Sequence, residues 1–372
     1  MASALQKDYP WTLQPLIAGA PMRLIALSDL AFAISSAGGL GFMGIGSDAS
    51  CLHPELRRLT DTLIPTDRRL QSHLSAAGTL PIGLGVLVWA GAALLTSLLA
   101  AFEPAGPFPP PAAIWLFAPA GGAQELAEWT GAIRAATAGR TKVWIQVGTT
   151  AEAVAAVELC APDVLVVQGS DAGGHGLLAS ASLLTLLPEV QAAVSAAVRR
   201  SSSFPGQEPA YIAAGGLSTP ATAAAALALG APGLVLGTRF LASREAVVPP
   251  GYQAAVLAAK DGGVSTARGR LYDQLRGTTA WPARYGGRGV LNRSWWDAHG
   301  GMGLGENKRL YDLAATAEEG EGTGDGWGSQ GRLTAYAGTG VGLITGVKGA
   351  GEIVAEIREG AVNVLKRAAA KL

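Results

Sequence analysis

The sequence predicts an α/β protein folded as a closed (β/α)8 TIM barrel, with a Gly- and Trp-rich insertion after strand eight. Three features point there. Eight short apolar runs, bounded by Gly or Pro, punctuate the first 240 residues. Ala- and Leu-rich segments of helical period lie between most of them, and glycines recur where the runs end. Unbroken Val, Ile and Leu runs mark strands buried on both faces, as in parallel sheets. Eight such units with right-handed crossovers close into a barrel rather than an open doubly wound sheet.

In chain order the predicted strands are "PLIAGA" (15–20), "GLGFMGI" (39–45), "PIGLGVLV" (81–88) and "AIWLFA" (113–118), followed by "KVWIQVG" (142–148), "DVLVVQG" (163–169), "AYIAAG" (210–215) and "GLVLGT" (233–238). Helices are expected at Ala151–Cys160 and Pro220–Leu229, where Pro220 suits a first helical position. After Arg239 the rhythm breaks. Residues 281–331 are rich in Gly, Trp and charge, and are expected as an inserted segment, helical around Lys308–Glu319, with a flexible acidic tip. The barrel then comprises residues 1–280 and 332–372, ending in a turn and a closing amphipathic helix.

Composition excludes several classes. Hydrophobic residues make up 49% and charged residues 15%, enough apolar material for a large core. Lys+Arg and Asp+Glu both total 28, so no basic field recruits nucleic acid. Cys51 and Cys160 form neither a disulfide framework nor a metal-ligand spacing, and no metal is expected. The stretch Ile82–Phe102 lacks charge over about 20 residues, long enough to span a bilayer. Its Pro81, Gly83 and Gly85 and its Val86–Val88 run instead read as a buried strand followed by its packing helix, so no membrane span is expected. With no secretory signal visible, the setting is read as cytoplasmic, and the chain as a monomer or homodimer.

Ligands of such barrels sit at the C-terminal ends of the strands. "AAGGLSTP" (213–220) and "VLGTRF" (235–240) place Gly215, Gly216, Gly237 and Thr238 after strands seven and eight, where backbone N–H groups can hold a phosphate. The third element is "VVQGSDAGGHG" (166–176), a strand running into glycines and then His175. An imidazole there can take a proton from a carbon acid or, charged, hold an anion. Alternatively it caps the loop by bonding Asp171.

These segments resemble the nitronate monooxygenases, a family of FMN-dependent (β/α)8 enzymes. The resemblance extends from "APM" (20–22) and "SSAGGLGFMGIG" (35–46) to "GVGLI" (340–344), and "APMRLIAL" is similar to fungal members. Its most specific element is "QGSDAGGHG", close to the family's Gln-Gly-x-Glu-Ala-Gly-Gly-His-x-Gly. The resemblance implies an FMN enzyme oxidising alkyl nitronates with O2 to a carbonyl compound and nitrite. It implies that Ala20, Pro21 and Met22 face the flavin ring, that Gln168 hydrogen-bonds its pyrimidine side or the ribityl chain, and that Gly173 and Gly174 let the loop approach. It implies Gly215, Gly216, Leu236, Gly237 and Thr238 around the phosphate, and His175 as the catalytic residue. Three positions depart from the family pattern: Gly85 stands for an Asn, Asp171 for a Glu, and Gly176 comes one residue early.

Two rival readings follow from the same residues. One is an NAD(P)H-dependent FMN reductase of the enoyl-thioester type, although no strand–GxGxxG–helix fingerprint is visible. The other is a non-catalytic member binding flavin or another phosphate ligand. His53, His73 and His299 read as structural or surface residues, and Lys308 and Arg309 as a solvated face. Trp295 and Trp296 either wall the substrate or pack the insertion onto the barrel.

Overall fold

The computed structural model describes residues 4–200, 208–321 and 326–371. Among them eleven strands occur. In chain order they are β1 (Leu16–Gly19), β2 (Phe42–Gly46), β3 (Leu80–Leu87), β4 (Pro111–Phe117), β5 (Lys142–Val147), β6 (Val164–Gln168), β7 (Gly174–Leu177), β8 (Ala210–Ala214), β9 (Gly233–Leu236), β10 (Thr266–Gly269) and β11 (Tyr285–Val290). The eight apolar runs correspond to β1–β6, β8 and β9. They form one parallel sheet in the order β1-β9-β8-β6-β5-β4-β3-β2. The ring closes between its ends through Leu40, which donates to the Ile17 carbonyl at 3.0 Å and accepts from Gly19 N–H at 3.0 Å.

Large rings fill the barrel. Phe42, Trp115 and Trp144 pack against one another with centroids 4.9 to 5.9 Å apart. Gly83 admits them, because a Cβ there would overlap the Phe42 ring. Below, Trp144 donates through Nε1 to the Tyr9 hydroxyl at 2.7 Å, and Trp11 donates to the Gly39 carbonyl at 3.2 Å. The N-terminal segment thereby plugs the floor with its polar atoms paired.

Helices pack outside this ring. Thr150–Cys160 and Pro220–Ala228 stand where helical spacing places them, the second with Thr219 as N-cap and Pro220 in its first turn. The uncharged Ile82–Phe102 stretch divides into β3, a single turn at Val88–Ala90 and a helix at Ala92–Ala100. Among the described residues no helix is long and apolar enough to cross a membrane. The last helix, Ala350–Ala369, packs on Pro220–Ala228 and on Ser28–Ser36. Its buried Arg358 donates to the carbonyls of Ala37 and Gly38, at 3.2 and 2.7 Å, where the Ser28–Ser36 helix ends.

A second, antiparallel sheet lies over the strand ends, ordered β10-β11-β7. It ties β7, the continuation of the "VVQGSDAGGHG" segment, to β10 before residue 281 and to β11 after it. Beyond it run helices Arg293–His299 and Leu304–Glu321. Part of the expected acidic tip, residues 322–325, lies outside the described residues.

Candidate active site

A cavity of about 660 Å³ opens at the C-terminal ends of the strands. Eleven of the twelve residues singled out from the sequence line it: Ala20, Pro21, Met22, Gln168, Gly173, Gly174, His175, Gly215, Gly216, Gly237 and Thr238. Leu236 does not. Its side chain is buried in the barrel, and its carbonyl accepts from Ala20 N–H at 2.9 Å as part of the ring.

One end of the cavity is a set of unspent backbone donors. Gly215 and Gly216 adopt φ of +103° and +73°, values that a side chain would make costly. The N–H groups of Ser218 and Thr219 are already taken by the Thr222 hydroxyl, each at 3.1 Å. Those of Gly216, Leu217, Gly237 and Thr238 have no acceptor among the described residues. The Thr238 hydroxyl accepts from Gly338 N–H at 3.0 Å, which leaves its own hydrogen free to donate. Farther along the wall, Trp89 and Trp327 have buried Nε1–H groups with no partner. Orphaned buried donors are rare in folded proteins. The four backbone N–H groups, all on residues that line one cavity, fit an oxygen-rich, anionic group such as a flavin phosphate.

The 168–177 segment is held from behind by two arginines. Arg268 donates to the carbonyls of Ala172, Gly174 and Gly286 at 2.5, 2.9 and 2.7 Å. Arg288 reaches the Ser170 carbonyl at 3.2 Å. Burial, reinforced by the Arg288 charge, pushes the Arg268 guanidinium down to about 10. Gly173 must lack a side chain, because a Cβ would overlap the Gly338 backbone. Gly176 has the same requirement, since its Cβ would fall 2.5 Å from Gln168 Oε1 and 2.9 Å from Arg268. The shifted glycine is therefore what lets Gln168 and the clamp sit together.

His175 stands on β7, paired in register with Gly287 of β11. Its ring lies flat on Trp281, centroids 3.7 Å apart and planes 5° from parallel. Nε2 meets Asp273 Oδ1 at 2.8 Å. The alternative in which it caps its loop on Asp171 is overturned: Asp171 Oδ1 instead accepts from the Thr339 hydroxyl at 3.0 Å. Asp273 sits on the helix Leu271–Arg276 with its side chain 2% exposed. The same Oδ1 accepts from the Tyr336 hydroxyl at 3.1 Å and the Thr278 hydroxyl at 3.2 Å. Burial, then the nearby Asp273 charge, holds the Tyr336 phenol well above its ordinary value, so it remains a donor. His175 Nδ1 has no partner among the described residues.

Comparison with known proteins bears directly on this arrangement. A sequence model of the family described as nitronate monooxygenase matches residues 131–270. Across 99% of its length the chain is 42% identical to the nitronate monooxygenase npaC of Metarhizium robertsii, covering 97% of that protein. Across 98% it is 34% identical to a nitronate monooxygenase of Neurospora crassa, covering 93% of it. The chain belongs to the nitronate monooxygenase family. Both relatives are fungal, as "APMRLIAL" leads one to expect. Among solved structures, a FabK from Thermotoga maritima superposes over the full length of both chains with a TM-score of 0.68 at 20% identity. A nitroalkane oxidase from Streptomyces ansochromogenes covers 98% of this chain and 99% of its own, with a TM-score of 0.68 at 23% identity. At such identities these two show the shared barrel fold. Nitronate monooxygenases are flavin-dependent in general.

A Cβ at Gly85 would overlap the Pro21 ring, so Pro21 occupies the space an asparagine would need. Sequence reasoning missed Asp273, Trp281 and Tyr336. "LYDQLRG" looks like an ordinary short helix, and Asp273 is 98 residues from the histidine it binds. Of the two tryptophans proposed as a wall, Trp295 packs on Tyr272 and His299, and Trp296 is 56% exposed. The aromatic wall is instead Trp281 with Trp89 and Phe117, at centroid distances of 5.5 and 6.0 Å. His53 packs near Phe108, His73 bonds Thr79, and His299 bonds the Trp295 carbonyl, all away from the cavity.

Proposed function

We propose that this member of the family oxidises alkyl nitronates with O2 on bound FMN, releasing a carbonyl compound and nitrite. The observation that carries the reading is His175, its Nε2 held by Asp273 and its Nδ1 unpartnered, on the wall of a cavity whose far end is a cluster of free N–H donors. A bound flavin supplies the two-electron oxidation and the reaction with O2. Gly215, Gly216, Gly237 and Thr238 would hold its phosphate through backbone N–H groups and one hydroxyl. Ala20, Pro21, Met22, Gln168, Gly173 and Gly174 would border its ring.

The chain's own chemistry centres on His175. A nitronate has already lost its α-proton; when the substrate is the parent nitroalkane, neutral Nδ1, with Nε2–H donated to Asp273, takes that proton and yields the nitronate. Once charged, the same atom donates to a nitronate oxygen, and Asp273 balances the imidazolium. Trp281, Trp89 and Phe117 exclude water from that side and offer an apolar surface to the alkyl group. Cys51 and Cys160 are unpaired, and burial pushes the Cys160 thiol up to about 11, which makes it a packing residue and not a nucleophile.

The test is an absorbance spectrum of the purified protein under anaerobic conditions. Ethylnitronate should bleach the oxidised-flavin band, and admitted O2 should restore it with release of nitrite. Bleaching by NADH or NADPH without nitronate would instead establish the reductase reading. A protein purified without flavin and unable to take up FMN would establish the non-catalytic one.

A further inference from the structure

We propose that Asp273 is a positioning residue for His175, fixing the imidazole as the Nε2–H tautomer so that Nδ1 is the proton-accepting atom in the cavity. The inference rests on the functional reading above and specifies which atom acts. Three donors converge on one carboxylate oxygen: His175 Nε2 at 2.8 Å, Tyr336 at 3.1 Å and Thr278 at 3.2 Å. The other oxygen, Oδ2, is buried without a partner. An ionised carboxylate is acceptor-only, so the nitrogen facing it must carry the hydrogen. The parallel Trp281 ring and the β7–β11 pairing restrict the imidazole's orientation, which leaves the tautomer as the remaining variable.

Other charged and titratable groups surround the pair. Arg276 lies on Asp273's own helix, with its guanidinium 5.5 Å from the Tyr336 ring centroid. Tyr336 comes from the segment following Leu333, Tyr311 from the Leu304–Glu321 helix, and Arg268 from β10, where it binds the carbonyl of Gly174 beside His175. None of them bonds the imidazole. Asp273 is its one hydrogen-bond partner among the described residues.

When a neutral nitroalkane gives up its α-proton, the C–H pair becomes the C=N bond of the nitronate, a nitro oxygen takes the negative charge, and the proton goes to Nδ1. Nε2–H stays on Asp273 throughout. Without the carboxylate the ring can carry its hydrogen on Nδ1, which points a donor where an acceptor is needed.

The experiment is nitrogen-15 NMR of the imidazoles in purified holoenzyme, tractable because the chain has four histidines. In the wild type, neutral His175 should show a protonated Nε2 and a bare Nδ1. Asp273→Leu should lose that preference and lower kcat for nitroethane, which must be deprotonated, by about 10- to 100-fold with little change in KM. Asp273→Asn should restore both tautomer and most of the turnover, because Tyr336 and Thr278 would hold the amide oxygen in the Oδ1 position. A wild-type Nδ1–H tautomer overturns the proposal, and it does so whether or not the leucine variant folds. So does a leucine variant with unchanged tautomer and kcat, or an asparagine variant as impaired as the leucine one. Should the wild type oxidise no nitronate, the functional reading fails, while the wild-type tautomer still decides the role of Asp273.

Discussion

The two ends of the barrel handle polar atoms in opposite ways. At the floor, Trp144 Nε1 is paired with Tyr9 and Trp11 Nε1 with Gly39. At the mouth, backbone N–H groups of Gly216, Leu217, Gly237 and Thr238 and the indole N–H groups of Trp89 and Trp327 lack acceptors among the described residues. Both ends are built from glycines and large aromatic rings, so composition does not distinguish them. What separates them is satisfaction: the indole donors at the floor are paired within the chain, whereas these donors at the mouth have no acceptor among the described residues.

Substitutions can break or sharpen that contrast. The largest effect belongs to the mouth. His175→Ala should keep bound flavin yet lower turnover of nitroethane, which must lose its α-proton, by about 100- to 10,000-fold, followed as oxygen uptake; a wild-type rate would remove His175 from the chemistry. Trp144→Ala, at the floor, should cost about 3–5 kcal/mol of stability in denaturant titrations and leave KM unchanged. Gly85→Asn should cost about 1–3 kcal/mol by overpacking against Pro21. Combining it with Pro21→Ala should recover much of that loss, and purely additive penalties would show the two positions to be independent. Thr222→Val should cost about 1 kcal/mol by removing the capping contacts at Thr219. At the small end, Arg58→Ala breaks an exposed ion pair with Asp29 and should leave the denaturation midpoint unchanged.

The sequence made the barrel legible because its eight strands are buried on both faces and so appear as unbroken apolar runs. The second sheet was not legible for the converse reason. β7, β10 and β11 read "GHGL", "TARG" and "YGGRGV", with neither alternation nor apolar continuity. Gly287 of β11 is small because the Tyr336 ring lies where its side chain would be, a constraint visible only in three dimensions. The same limit applies to the site. Glycines and His175 stood out because they are local to a strand end. Asp273, Trp281 and Tyr336 reach the imidazole through tertiary packing, and no spacing between them signals it. Next to the glycines of "AAGGLSTP", the N–H groups of Ser218 and Thr219 are spent on the Thr222 hydroxyl, a local contact that the stretch does not announce.

Arg358, bonding the carbonyls of Ala37 and Gly38, is 320 residues from the second of them. β1, likewise, pairs with β9. On the ribosome, therefore, the first strand and first barrel helix emerge long before their partners exist. The ring cannot shut during elongation, and the amino-terminal half must wait, partly unpaired, for the final helix. Loss of the Ala350–Ala369 helix would strike the Ser28–Ser36 helix it packs on, and a nascent-chain protease assay should find the Ser28–Ser36 region cleavable until that later helix has emerged.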